Sequence, residues 1–229
     1  ITPLSAGRRI TLEIQPFGSV VSEIAYEVRS VDGGRLIENT KVDSFKPTKE
    51  EVSVSFGLKD LIEANKEYLL VVLLTLEGGN EIRYYTRVVS TEDYFVDDKI
   101  RYVCDFSDKT FDKEAAKELT KYMESNEEGD NTTFGRVDIH SSFKQMTWGD
   151  LAIKRESRTD ITIKELGTQT GSFLLDYYVS VPEGKGKNYY KVREFYRVRH
   201  TADRMYLLDF ERTMDQVFDA EGKVYANNK

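Results

Sequence analysis

"NKEYLLVVLLTLEGGNEIRYYTRVVS", residues 65–90, is the most apolar stretch of the chain, and Tyr68 to Leu76 runs nine residues without a charge. Nine residues are too few to cross a bilayer as a helix, which takes about 20. Gly78-Gly79-Asn80 supplies a turn and Ile82 to Val89 alternates, so the stretch predicts a β-hairpin. A two-residue Gly78-Gly79 loop would set Leu74 and Leu76 beside Arg83 and Glu81. A three-residue loop with Asn80 left-handed instead pairs Leu76 with Ile82, Leu74 with Tyr84, Val72 with Thr86 and Leu70 with Val88. A slip of one residue turns every side chain over, so the apolar pairing is expected. The opposite face then holds Leu69, Val71 and Leu73 beside Tyr85. Either the second domain or a loop covers this face, or, since large exposed apolar patches mark contact surfaces, these four residues are an interface candidate for another protein.

Upstream, short alternating runs recur about every ten residues. Ile10, Leu12 and Ile14 form one, Ile24, Tyr26 and Val28 another, and Val52, Val54 and Phe56 a third. Six or seven such strands predict an antiparallel sandwich over 1–90. "FGLKDLIEANKEYLLVVLL" resembles the crossover between the fifth and sixth strands of fibronectin type III and related immunoglobulin-like domains: a strand, a leucine-containing corner, then a tyrosine opening the next strand. The resemblance implies that Tyr68 is the corner tyrosine. The tryptophan usual in the early strands of those domains is absent here.

Residues 91–229 are expected to form an α+β domain. Glu92, Asp93, Asp97, Asp98 and Lys99 read as a charged bridge between domains. A helix is predicted over about 112–125, with Asp112 as N-cap, Phe111 stapling onto Ala116, and Ala115, Ala116, Leu119, Tyr122 and Met123 as the apolar stripe. Strands follow to residue 212, and Phe173, Leu175, Tyr177, Val179 and Val181 alternate with Leu174, Asp176, Tyr178 and Ser180. The fold class is thus mostly β: an antiparallel immunoglobulin-like sandwich, then one helix packed on a curved antiparallel sheet.

The 33 basic and 40 acidic residues leave a net charge of −7, and neither half is basic, which argues against nucleic acid as a partner. Cys104 is the lone cysteine, so neither an intrachain disulfide nor a cysteine zinc cage can form. Only His140 and His200 are available as histidine bases. A Cys104–His140 pair sits in no nucleophile signature, and Asp105, Asp108 and Asp112 lack the glycine and closing glutamate of a calcium loop. No catalytic residue, metal ligand or cofactor is assigned. The chain opens at Ile1, so any signal peptide or membrane anchor is expected upstream.

One strand has chemical character: "GKGKNYYKVREFYRVRH". Tyr189, Lys191, Arg193, Phe195, Arg197 and Arg199 point one way, and Tyr190, Val192, Tyr196 and Val198 the other, with Glu194 out of pattern. The first face is a basic ribbon interleaved with aromatics, suited to an anionic or neutral glycan. The competing reading is a solvent face whose arginines pair with carboxylates such as Asp209 and Glu211. Taken together, the sequence predicts a non-enzymatic binding or structural protein outside the cytoplasm, secreted or on a bacterial surface. The alternative is a carbohydrate-active or other hydrolase with its site in the second domain.

Overall fold

A computed structural model describes residues 1–217 except Ser5, Ala6, Ser44, Pro47, Lys49, Asp60, Leu61, Glu92, Asp93 and Lys185. Glu92 and Asp93 of the expected bridge, and Asp60 and Leu61 of the crossover, therefore lie outside the described residues. The chain divides into two compact units, Ile1–Tyr94 and Phe95–Lys229, and is mostly β-sheet.

The first unit contains β1 (Thr2–Leu4), β2 (Arg9–Ile14), β3 (Val21–Ser30), β4 (Leu36–Lys41), β5 (Val52–Gly57), β6 (Glu67–Leu76) and β7 (Glu81–Ser90). Five of them form a sheet in the order β1-β7-β6-β3-β4, and β2 pairs with β5 in a second. Alternation along the strands sends Ile10, Ile14, Val54 and Phe56 of the small sheet into one core with Ile24, Tyr26, Val28, Leu70, Val72 and Leu74 of the large one. Tyr26 stacks on Phe56 with ring centroids 4.4 Å apart. Two sheets sharing a core are compatible with a β-sandwich.

The hairpin of β6 and β7 keeps the expected faces but not the expected register. Leu74 pairs with Ile82, Val72 with Tyr84, Leu70 with Thr86 and Tyr68 with Val88, two residues from the apolar pairing that the sequence suggests. The loop still has three residues, but they are Glu77, Gly78 and Gly79, closed by Leu76 N donating to Asn80 O at 2.8 Å. The positive φ angles fall on Gly78 (99°) and Gly79 (87°), where no Cβ opposes them, rather than on Asn80.

Tyr68 is 2% exposed, and its hydroxyl accepts from the Glu63 backbone N–H at 3.0 Å. This is the contact a corner tyrosine makes with the chain upstream. Because Glu63 is itself exposed, water can satisfy its N–H once the hydroxyl is gone, so the penalty sits at the low end of its range. Tyr68→Phe is expected to lower the unfolding free energy by about 1 kcal/mol in urea denaturation. An unchanged midpoint would remove the role.

In the second unit the long α-helix lies where the sequence suggested a bridge: α1 spans Val96–Lys109. Its acids and Arg101 are the polar side of an amphipathic helix, with Asp97 and Asp98 in the favourable first turn, while Lys99, Val103 and Phe106 are buried. The predicted helix over 112–125 is instead a 3-10 segment, Ala115–Tyr122. Asp112 does cap it, accepting from the N–H groups of Glu114 and Ala115, but Phe111 packs on Trp148 and Tyr177 instead of stapling onto Ala116.

The sheet that follows comprises β8 (Arg136–Asp138), β9 (Lys154–Arg155), β10 (Asp160–Leu166), β11 (Thr170–Glu183), β12 (Gly186–His200) and β13 (Met205–Gln216), with the short helix α2 (Phe143–Met146) between β8 and β9. All pairings are antiparallel, in the order β10-β11-β12-β13-β8, and β9 also pairs with β11. Phe106 of α1 lies against Tyr196 and Phe210, so the helix covers one face of the sheet.

Lys99 of α1 is fully buried, and its ammonium donates to the carbonyls of Gly167, Thr168 and Thr170 at 2.7, 3.1 and 3.3 Å. It thereby ties the helix to the β10–β11 turn. Burial lowers its pKa from 10.5 to about 8. Between those values the unfolded chain holds more protons than the folded one, so this group makes stability rise with pH through that window. Tyr26, pushed up to about 12 by burial, opposes the trend only above about pH 10. Denaturation between about pH 8 and 10 should show wild type gaining stability relative to Lys99→Met; parallel curves would refute the coupling.

Candidate functional site

Strand β12 alternates cleanly. Val192, Glu194, Tyr196 and Val198 are buried on the side that α1 covers, while Lys191, Arg193, Arg197 and Arg199 are exposed on the other. Tyr189 is exposed and Phe195 half-buried on that same outer face, so the structure places all six residues of the ribbon together. At about 3.4 Å per residue the ribbon is roughly 34 Å long.

Its neighbours are supplied by register. On β11, Leu174 stands opposite Phe195, Asp176 opposite Arg193 and Tyr178 opposite Lys191. On β13, Asp209 stands opposite Arg197, Glu211 opposite Phe195 and Asp215 opposite Lys191. Asp176 accepts from Arg193 at 3.0 Å and lies 3.6 Å from Lys191. Glu211 is engaged by Arg136 of β8 at 2.7 Å, and Arg199 lies over the Tyr206 ring. A cavity of about 230 Å³ opens at the ribbon's edge, lined by Ser157, Arg158, Asp160, Asp176, Tyr178 and Lys191. Leu174, Asp176 and Tyr178 were visible in the sequence as the alternate set of β11; what it lacked was their position beside β12.

Beneath the ribbon lies a buried polar cluster that sequence reasoning missed. Glu194 and Arg212 are fully buried cross-strand partners on β12 and β13, 3.9 Å apart. Tyr177 and Tyr196 donate to the two Glu194 oxygens at 2.9 and 3.0 Å. Arg212 donates to the carbonyls of Met146 and Gln145 at 3.0 and 2.8 Å, with its guanidinium 3.4 Å from the centre of the Trp148 ring. Burial, and then the Glu194 charge, push both tyrosines well above their ordinary pKa, while burial holds Arg212 below its own. The signal was present: Glu194 breaks the apolar alternation of β12, and Arg212 that of β13.

The remaining candidates disperse. Val71 is 3% exposed and Leu69 and Leu73 are half-buried, so with Tyr85 they do not form a continuous exposed patch. Ile82 and Tyr84 of that hairpin are also exposed, on its inner face, where the sheet opposite is two strands wide. A cavity of about 580 Å³ opens there between β2 and the β6–β7 pair. Asp105 pairs with Lys109, Asp108 with Arg155, and Asp112 caps the 3-10 segment. His140 Nδ1 lies within hydrogen-bond distance of Asn126 Nδ2 and the Glu124 carbonyl, and His200 stacks on Phe95. Burial raises the pKa of the Cys104 thiol, which makes it a poorer nucleophile. Among the described residues, no three His, Cys, Asp or Glu side chains are grouped to hold a metal ion, and no helix is long and apolar enough to cross a membrane.

No protein-family model matches this chain, and no curated protein matches it significantly. Among solved structures it is similar to a Bacteroides ovatus protein described as mixed-linkage glucan utilization locus SGBP-B in complex with a mixed-linkage heptasaccharide. Identity is 13%, and the match covers 96% of this chain and 43% of that one. The TM-score is 0.24, too low to carry an argument.

The buried pair makes a sharp prediction. Glu194→Gln keeps the shape but leaves the Arg212 charge without its counterion, at a cost of about 3–5 kcal/mol. Glu194→Gln combined with Arg212→Met is expected to cost clearly less than the two single changes added together. Additive losses in a double-mutant cycle would show that the two residues act separately.

Proposed function

We propose that this chain is a non-enzymatic, extracytoplasmic binding protein whose ligand, a glycan, lies along the outer face of β12. The observation that carries the reading is the ribbon itself. Six residues able to stack or hydrogen-bond, Tyr189, Lys191, Arg193, Phe195, Arg197 and Arg199, share one open face. Rigid strands hold them, and rigid elements suit a preorganised site. Asp176, Tyr178 and the small cavity beside them extend the surface.

In this reading the first unit is an immunoglobulin-like module. The contact between the Tyr68 hydroxyl and the upstream backbone supports it, as does the division of seven strands between two sheets around one core. The second unit is then an α+β domain with α1 on the inner face of its sheet. Placement outside the cytoplasm rests on the association of such modules with secreted and surface proteins.

Probing an array of bacterial, plant and host glycans with the full chain tests the reading. Binding is expected to at least one glycan class, and Tyr189→Ala with Phe195→Ala should reduce it by at least tenfold, the scale of one or two aromatic contacts. No binding, or binding indifferent to both substitutions, would overturn the site. Steady cleavage of a bound polysaccharide would favour the hydrolase alternative.

A further inference from the structure

The ribbon is basic only when β12 is taken alone. We infer that its occupant is a neutral polyhydroxylated polymer, a glycan without acidic groups; this rests on the binding reading above. Charge complementarity across the sheet favours such an occupant.

Three of the four cations of β12 stand beside a carboxylate from a neighbouring strand, and the fourth, Arg199, stands between Thr170 and Tyr206. Arg193 faces Asp176, Arg197 faces Asp209, and Lys191 faces Asp215. Asp176 draws in both Arg193 and Lys191, and Asp160 stands opposite Asp176 on β10. On the far side, Glu211 and Arg136 neutralise each other. A polyanion laid along the strand would meet a carboxylate within about one strand spacing, some 5 Å, of Lys191, Arg193 and Arg197. Attraction and repulsion at such similar distances largely cancel.

A neutral glycan escapes that cancellation. Its hydroxyls both donate and accept, so a single hydroxyl can accept from Arg193 while donating to Asp176. An alternating file of carboxylates and guanidiniums is thus better matched to sugar hydroxyls than to phosphate, sulfate or uronate groups. The apolar faces of the sugar rings find Tyr178 and Tyr189, which are 45% and 49% exposed, and Phe195 beside Leu174.

The test measures the full chain by isothermal titration against soluble xyloglucan, galactomannan and β-glucan as neutral probes, and against polygalacturonate and chondroitin sulfate as anionic ones. Each titration is run at about 0.1 and about 1 M salt, over which the screening length falls from about 10 to about 3 Å. Binding to a neutral probe, changed less than about twofold by salt and at least tenfold by Tyr189→Ala, is the expected result. Binding confined to the anionic probes and collapsing at high salt would overturn this inference while leaving the site in place. Binding to no probe would overturn the inference for these classes, and failure across the wider array would remove the site as well. The double variant Asp209→Asn with Asp215→Asn removes two of the balancing carboxylates. It should gain salt-sensitive affinity for polygalacturonate; no gain would refute the charge-balance argument.

Discussion

Glu194 and Arg212 face each other across β12 and β13 with no exposure to solvent. Two buried charges of opposite sign tolerate very few arrangements of the chain around them. A slip of one residue between the strands would send one charge to the open face and leave the other stranded in the core, at several kcal/mol. A slip of two would keep both inside but set each opposite an apolar partner. The ion pair therefore fixes register more than it adds stability, a use to which buried polar groups are well suited. Once the register of β13 is fixed, the row opposite the ribbon follows: Asp209, Glu211 and Asp215 can stand only where they do. The inner face thus determines the chemistry of the outer one.

The outer face in turn shows why a single strand misleads. Lys191, Arg193, Arg197 and Arg199 form a cationic file in the sequence because they share one segment and one period. The counter-charges of the first three come from segments well removed along the chain, Asp176 upstream and Asp209 and Asp215 downstream. Periodicity assigns a residue to a face; it carries no information about the residue beside it on the next strand. The same limit explains the hairpin of β6 and β7. Alternation gave the correct faces, because burial drives it, but a shift of two residues preserves alternation, and the two glycines decided between the registers.

Where local pattern and tertiary contact agree, the sequence was legible. The long strands of both units follow from alternation and turn chemistry, and the burial of Tyr68 is what the resemblance of the crossover implies. The run of charges in α1 hides its helical stripe: Val96, Ile100, Val103 and Phe106 recur at helical spacing, and the acids lie between them. The segment after Asp112 carries an equally good helical stripe yet folds as a 3-10 turn. Phe111, the residue meant to staple its start, is drawn instead to the Trp148 and Tyr177 rings. Tertiary packing overrides local preference there, and nothing within that segment announces it.

The pairing of β1 with β7 has a consequence for the order of events during synthesis. These strands run parallel, and Thr2 to Leu4 at the beginning of the first unit lie beside Val88 to Ser90 at its end. Hairpins such as β3–β4 and β6–β7 can close as soon as their second strand leaves the ribosome. The β1 segment has no partner until the seventh strand emerges. Contacts so distant along the chain form late, after most of the loop-closure entropy has been spent. Within the first unit these opening residues are then the last to find their place, and until they do one edge of β7 stands open to pairing with a strand of another nascent chain.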